Sequence, residues 1–179
     1  TDSELSDFSA CTVIIDDLTL SGTGITTTSN FASVHTIKGD LKIEDTDISN
    51  LAGFSSLSTL RGELTLIGDS LSDISDLSSL TSVEGDISIV STSLTRLIGL
   101  DGLTEIQSLD LETNASLLSL EGLDSLTTIH GSMEIQGNDS LESCDGVESL
   151  GTISDSLLIV ANDELSSVGA FDTLVEVGT

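Results

Sequence analysis

Apolar residues recur along the chain in a fixed order, and this order repeats about every 23 residues. Each copy opens with two apolar residues that flank one other residue. Such pairs begin at seven positions: Leu18, Leu41, Leu64, Ile87, Leu109, Met133 and Leu157. Their spacings are 23, 23, 23, 22, 24 and 24 residues. A period this constant is the signature of stacked repeats, and seven units fill the chain.

The spacing within one unit predicts a short strand followed by a series of tight bends. Leu41 and Ile43 stand at i and i+2, which indicates a strand with both side chains on the buried face. Five apolar residues then follow at a spacing of three: Ile48, Leu51, Phe54, Leu57 and Leu60. A spacing of three suits 3₁₀-like bends that each point one side chain to a common axis. One unit cannot bury its apolar face alone, so the units are expected to stack.

These patterns predict a mainly β fold, a right-handed solenoid of seven leucine-rich-type repeats of 22–24 residues with a parallel sheet. At one strand spacing per unit, the body is roughly 35 Å long. We expect an N-terminal cap at residues 1–12 and a single solenoid domain at residues 13–179. Because the chain begins with Thr1 rather than Met, we expect it to be excised or processed from a longer chain.

The first residues and the repeats together resemble the receptor L domain. The run LSDFSACTVIIDDLTLSG, which starts at Leu5, places Cys11 between a short amphipathic cap and a strand, and IKGDLKIEDTDISNLAGFSSLSTLRGELTL is similar to the repeats of that domain. The resemblance implies the leucine-rich-repeat-like solenoid of insulin and epidermal growth factor receptor ectodomains. Related repeats occur in fungal GPI-anchored cell-wall proteins and bacterial surface proteins. It therefore implies an extracellular or cell-surface scaffold for recognition or adhesion.

The charge of the chain narrows the range of partners. Thirty-one acidic residues against four basic ones give a net charge of −27, and Trp and Tyr are absent. A polyanion repels phosphate backbones and anionic lipid headgroups, so no nucleic-acid partner is expected. No run approaches the roughly 20 apolar residues that span a bilayer, so no membrane insertion is expected.

No set of residues indicates an enzyme, a metal site or a cofactor. His35 and His130 fall four units apart and cannot share a metal ion. Cys144 occupies an apolar column and is expected to act as a small buried hydrophobe. Cys11 lies in the cap, roughly 24 Å away at one strand spacing per unit, which is too far for a disulfide. Both thiols are therefore expected to be free.

The outward positions of the strands form a candidate binding face for a protein or a surface glycan. Ile67 and Val90 are apolar and lie on successive units, and exposed apolar clusters mark contacts more often than single residues do. The candidate residues of the face are Lys42, Thr65, Ile67, Ser88, Val90, Asp110, Glu134, Leu158 and Val160.

Two other functions remain open at this stage. The last unit reaches Leu174 and Val177 without a visible polar cap, so copies of the chain could stack end to end as a self-assembling surface or filament protein. Ice binding is a minor alternative. It draws on a column of threonines at Thr81, Thr104 and Thr127, but a regular Thr-x-Thr array is absent.

Two columns of the repeat carry further expectations. A polar column follows the strands at Thr46, Asp69, Thr92, Asn114, Asn138 and Asn162, and its side chains are expected to bond the turn backbone. Asn114 and Asn138 also match the N-glycosylation pattern and are expected to be exposed, so both could be modified if the source is a secreting eukaryote. A glycine column at Gly39, Gly62, Gly85 and Gly131 is expected to supply a positive φ before each strand.

Overall fold

The repeated apolar pairs form the strands of a parallel β-solenoid. The computed structural model describes residues 8–68 and 70–178, so Asp69 and residues 1–7 of the predicted cap lie outside the described residues. Each of the seven pairs opens a strand of four residues. The described strands are β1 (Val13–Ile14), β2 (Leu18–Ser21), β3 (Thr36–Ile37), β4 (Leu41–Glu44), β5 (Thr59–Leu60), β6 (Leu64–Ile67), β7 (Ser82–Val83), β8 (Ile87–Val90), β9 (Glu105–Ile106), β10 (Leu109–Glu112), β11 (Thr128–Ile129), β12 (Met133–Gln136), β13 (Thr152–Ile153), β14 (Leu157–Val160) and β15 (Glu176–Val177).

The strands form one main sheet and two smaller side sheets. The main sheet has seven strands in the order β14-β12-β10-β8-β6-β4-β2. The side sheets have four two-residue strands each, in the orders β1-β3-β5-β7 and β15-β13-β11-β9. Every pairing is parallel and joins neighbouring units, as in Leu41 opposite Leu64. The prediction of a mainly β solenoid with a parallel sheet is confirmed.

The bends between the strands are short 3₁₀ helices and turns, as the spacing of three predicts. Amide-to-carbonyl bonds close successive bends, for example from Phe54 to Leu51 at 2.8 Å and from Leu57 to Phe54 at 2.9 Å. Units without a helix follow the same path through turns, with Leu103 bonded to Leu100 at 3.0 Å. The described 3₁₀ helices are Ser29–Phe31, Ala52–Phe54, Ser75–Ser79 and Gly169–Thr173.

The core is one continuous cluster of stacked columns. The rings of Phe31 and Phe54 lie parallel with centroids 5.2 Å apart. Phe8 packs on Phe31 at the same distance and covers the N-terminal end of the column. Aliphatic side chains continue this column through the later units, and all of the following are fully buried: Phe31, Phe54, Leu77, Leu100, Leu123 and Val147.

The glycines that precede the main strands serve close backbone packing, so the predicted role for their φ is wrong. Gly39, Gly62, Gly85 and Gly131 are absent from the glycines with positive φ. A Cβ on Gly62 would lie 2.5 Å from the carbonyl oxygen of Gly39. The Gly62 amide donates to that oxygen at 3.1 Å. The column therefore needs glycine because successive units, each one turn of the solenoid, contact each other there through their backbones.

Left-handed backbone occurs instead directly after each main strand. The seven residues at this position all have positive φ: Gly22, Asp45, Gly68, Ser91, Thr113, Gly137 and Ala161. Four of them carry a Cβ, which makes this conformation costly by roughly 1–2 kcal/mol each. The repetition shows that the turn out of the sheet demands this conformation whichever residue is present.

Candidate recognition surface

The predicted binding face is the outward side of the main sheet. Parallel pairing places its residues in two rows that cross the strands. One row runs through Lys42, Thr65, Ser88, Asp110, Glu134 and Leu158. The other row includes Ile67, Val90 and Val160. The structure therefore brings all nine candidate residues together on one surface.

The apolar residues of this face form two separate groups. Ile67 on β6 lies directly opposite Val90 on β8, and both side chains are partly buried. Leu158 and Val160 lie on β14 at the edge of the sheet, where they are 39% and 38% exposed. Ile67 and Val90 thus form the apolar patch that is flanked by strands on both sides.

The basic charge of the face is already partnered. Lys42 contacts Glu44 on the same strand at 2.8 Å between Nζ and Oε2. The hydrogen bond to Glu44 raises the pKa of Lys42. Arg96, which is not among the predicted face residues, pairs with Glu121 at 2.9 Å. The face therefore presents little free positive charge.

Carboxylates concentrate on the next strands of the same face. Asp110 lies opposite Glu134 and shares its strand with Glu112. Partial burial raises the pKa of Asp110, and repulsion from Glu112 and Glu134 adds to that rise. The hydroxyl of Ser88, 3.5 Å from Oδ2 of Asp110, acts in the opposite direction. A cationic group that approached this part of the face would relieve the repulsion.

The two predicted glycosylation sites are buried, so the prediction that they are exposed is wrong. Asn114 is 1% exposed and Asn138 is 0% exposed. The side-chain amide nitrogen of Asn114 donates to the carbonyl of Ile89 at 2.8 Å, and that of Asn138 donates to Leu111 at 2.9 Å. The side-chain nitrogen to which a glycan would be attached is thus hydrogen-bonded in the interior of the folded chain.

These asparagines form a ladder along the solenoid instead. The side-chain oxygen of Asn138 accepts from the backbone amide of Asn114 at 2.9 Å. Asn162 repeats this bond to the amide of Asn138 at 2.9 Å. At the other end of the ladder, Asn114 accepts from the amide of Thr92 at 3.0 Å. The predicted backbone-bonding role of the polar column is confirmed for these residues.

Both cysteines are free, as predicted. Cys144 is fully buried, and burial raises the pKa of its thiol to about 11, with a smaller contribution from Asp145. Cys11 is partly buried at the N-terminal end, where its Sγ lies 3.3 Å from the carbonyl oxygen of Val13. Cys144 therefore stays neutral and shielded near neutral pH.

This difference predicts selective alkylation. Iodoacetamide should label Cys11 of the native chain at pH 8 while Cys144 reacts at least tenfold more slowly, because only an exposed thiolate is a good nucleophile. Denaturant should equalise the two rates. Mass spectrometry of peptides sampled over time would measure both, and rapid labelling of Cys144 in the native chain would contradict its placement in the core.

The histidines lie apart, as the repeat spacing predicts. His130 contacts Glu105 at 3.1 Å between Nε2 and Oε2, on the side of the solenoid that carries the small sheets. His35 belongs to an earlier turn, where its carbonyl accepts from Ser58 at 3.0 Å. Within residues 8–68 and 70–178, no group of three or more His, Cys, Asp or Glu side chains could hold a metal ion.

The last described turn leaves apolar side chains incompletely covered. Leu157 and Ile159 point inward from β14 but are only partly buried, whereas Met133 and Ile135 on the preceding strand are fully buried. The two predicted assembly residues lie in this turn. Leu174 is partly buried against the core and Val177 is exposed on β15.

A comparison with protein families matches the first part of this solenoid. Residues 10–71, roughly a third of the chain, match the family model described as the receptor L domain. The match covers β1 to β6, and the same parallel stacking continues to β14. The chain is a receptor L-domain-like solenoid. No curated protein and no solved structure matches it.

The likeness points to ligand recognition. Receptor L domains are non-enzymatic, ligand-binding modules of extracellular receptor ectodomains. None of the helices in the described part of the chain is long and apolar enough to cross a membrane.

Proposed function

We propose that the chain is a non-enzymatic extracellular or cell-surface module that recognises or adheres to a protein or surface glycan through the outward face of its main sheet. The observation that carries this proposal is the pairing of Ile67 and Val90 on adjacent interior strands of the outward face. Partly exposed apolar side chains gain about 25 cal/mol for each Å² that a partner covers. The family likeness at residues 10–71 supports a ligand-binding role.

The charge beside the apolar pair favours a partner with basic groups. Val90 lies opposite Glu112, and Glu112 shares β10 with Asp110. Lys42 is paired with Glu44, which leaves the carboxylates of β10 and β12 without a basic neighbour on the face. An apolar side chain flanked by Lys or Arg would complement this surface, and charge complementarity would speed its association.

A second candidate function is self-assembly, in which copies stack at the last turn. β14 is an edge strand of four apolar residues, and edge strands offer unpaired backbone groups to another chain. The partly covered Leu157 and Ile159 and the exposed Val177 lie in the same region. Acidic side chains such as Asp172 and Glu176 oppose close contact between copies, so assembly of this kind should strengthen as salt rises.

One pair of double variants separates the two functions. Ile67→Lys with Val90→Lys should reduce partner binding at least tenfold and leave the oligomeric state unchanged, because ammonium groups would have to be buried at the contact. Leu174→Lys with Val177→Lys should instead disrupt assemblies. Binding is measured on an array of receptor ectodomains and cell-surface glycans, and mass is measured by light scattering.

The control for both double variants adds two lysines at positions outside the outward face and the last turn. Thr95→Lys with Ser125→Lys places two ammonium groups at exposed positions of the bends. If the face variant binds as well as this control, the outward face is not the recognition surface. If the end variant leaves assemblies intact, self-assembly through the last turn is refuted.

A further inference from the structure

The side sheets, whose strands precede the main strands across a short corner, contain a break between two turns of the solenoid. β7 ends one side sheet and β9 begins the other, although their units are neighbours in the chain and the main sheet continues between them. In the part of the chain that the structure describes, every other pair of successive side strands is joined in a parallel ladder.

A shortened corner in the sequence accompanies this break. The corner from β7 to β8 contains Glu84, Gly85 and Asp86, whereas the corner from β9 to β10 contains only Gln107 and Ser108. This missing residue is the origin of the 22-residue spacing, and the shortened corner lacks a glycine equivalent to Gly85. Gly85 bonds back to Gly62 at 3.1 Å, and the unit of Gln107 has no glycine to continue that column.

The break leaves backbone amides and carbonyls of β7 and β9 without the hydrogen bonds that equivalent residues of the other side strands make. On one side, Thr81 donates to Ser58 at 3.0 Å and Glu84 donates to Leu60 at 2.9 Å. The equivalent bonds one turn later would run from Thr104 to Thr81 and from Gln107 to Val83. Among the described residues, no backbone bond joins these two strands. The ladder resumes beyond the gap, where Thr127 donates to Thr104 at 2.9 Å.

The unpaired groups line a slit with a volume of about 220 Å³. Its lining comes from β7, β9 and the residues beside them, with His130 on the following turn. Five side chains add polar groups of different kinds: the Thr81 hydroxyl, the Glu84 and Glu105 carboxylates, the Gln107 amide and the His130 imidazole. Val83 and Ile106 also border the slit, but their side chains are buried in the core.

This mixture of groups selects the chemistry of the ligand. The amides of Thr104 and Gln107 need acceptors, while the carbonyls of Thr81 and Val83 need donors, so a purely cationic ligand satisfies only half of them. An anion would meet the carboxylates of Glu84 and Glu105. An inserted peptide strand would need the two strands about 9.6 Å apart, but β7 and β9 retain Cα atoms within 8 Å of each other.

We propose that the slit between β7 and β9 binds a single sugar ring. Each hydroxyl both donates and accepts, which matches backbone amides and carbonyls in one site. The Glu105 carboxylate and the His130 imidazole, 3.1 Å apart, can bond neighbouring hydroxyls at the mouth. This site is separate from the outward face and does not depend on the proposed function.

The test uses the full chain and four monosaccharides as probes: glucose, galactose, mannose and N-acetylglucosamine. Two-dimensional NMR should show saturable shifts of the Thr104 and Gln107 amides with at least one sugar at about 50 mM, a concentration that saturates a site with a Kd of about 1 mM. Glu105→Ala should weaken that binding at least threefold. No saturable shift with any of the four sugars, or equal binding by Glu105→Ala, would overturn the proposal.

A glycine inserted between Gln107 and Ser108 tests the slit itself. It restores a three-residue corner, so the ladder should close, hydrogen exchange at Thr104 and Gln107 should slow at least tenfold, and sugar binding should be lost. A glycine inserted between Asp163 and Glu164, in an exposed turn far along the solenoid, is the control and should leave binding unchanged. Sugar binding that survives closure of the ladder would place the site elsewhere and overturn the proposal.

Free arginine is the competing probe. If arginine shifts the same amides and none of the sugars does, the slit is a cation site formed by Glu84 and Glu105, and the sugar proposal is wrong. If the outward-face variants lose partner binding while the sugar shifts persist, the two sites are independent, as the geometry requires.

Discussion

Leu120→Asp should lower the free energy of unfolding by about 4 kcal/mol or more. Leu120 is fully buried between Leu97 on one neighbouring turn and Cys144 on the next, in a column of apolar side chains. An aspartate there loses the aliphatic contacts and places a carboxyl group where no basic residue is available. Burial would raise the pKa of this carboxyl group in the folded chain above its value in the unfolded chain. The loss in the free energy of unfolding should therefore shrink as pH falls. Urea unfolding at pH 7 and pH 4 would measure both effects.

Thr95→Asp is the matched control for that variant. Thr95 is exposed on the bend of the preceding turn, so the same added charge remains in water. Its cost should stay under about 1 kcal/mol. Similar losses for the two variants would show that the columns of the solenoid are assigned to the wrong residues.

Asn138→Ala should cost about 3 kcal/mol of stability. The substitution removes the acceptor of the Asn114 amide and the donor to the Leu111 carbonyl, both in a fully buried position. Each buried backbone group left without its partner costs about 1–3 kcal/mol. The side-chain nitrogen of Asn138 also donates to Oδ1 of Asn162 at 3.3 Å, and this bond would be lost as well, so the disturbance reaches both neighbouring turns. Calorimetric melting would record the effect as a lower melting temperature.

Asp139→Ala serves as the comparison, because Asp139 is the next residue along the chain and is exposed. Its melting temperature should stay close to that of the unchanged protein, with a difference in stability within about 0.5 kcal/mol. An Asn138→Ala protein as stable as Asp139→Ala would mean that the ladder contributes little to the fold.

The strands of the main sheet could be predicted because their signal is local and repeated. A pair such as Leu41 and Ile43 defines the buried side of a strand, and the next pair 23 residues later defines its neighbour in register. The outward rows follow from the same alternation, which is why Ile67 and Val90 could be paired before the fold was known. Their partner depends on a surface outside this chain, which the alternation does not describe.

The predictions that the structure contradicts concern positions where neighbouring turns of the solenoid pack closely against each other. Gly62 resembles a turn glycine in the sequence, but its Cβ position is occupied by the backbone of Gly39. Asn138 resembles an exposed acceptor for glycosylation, but stacking of the turns buries its side chain against Leu111. Both effects depend on the distance between two stacked units of the solenoid. The sequence of a single repeat does not specify that distance. The shortened corner at Gln107 was visible as a 22-residue spacing, yet only the stacked turns show that it separates two sheets.

The break between β7 and β9 also bears on the mechanics of the molecule. Elsewhere, two successive turns are tied on both sides, by a main-sheet ladder and by a side-sheet ladder. At this one junction of the described chain, the ladder between β8 and β10 remains while the side ladder is missing. A rod that has lost one of its lines of cross-links bends most easily at the point where that line is interrupted. Bending of the solenoid should therefore concentrate at this junction, with the main sheet as the hinge and the slit widening or narrowing as the two halves move.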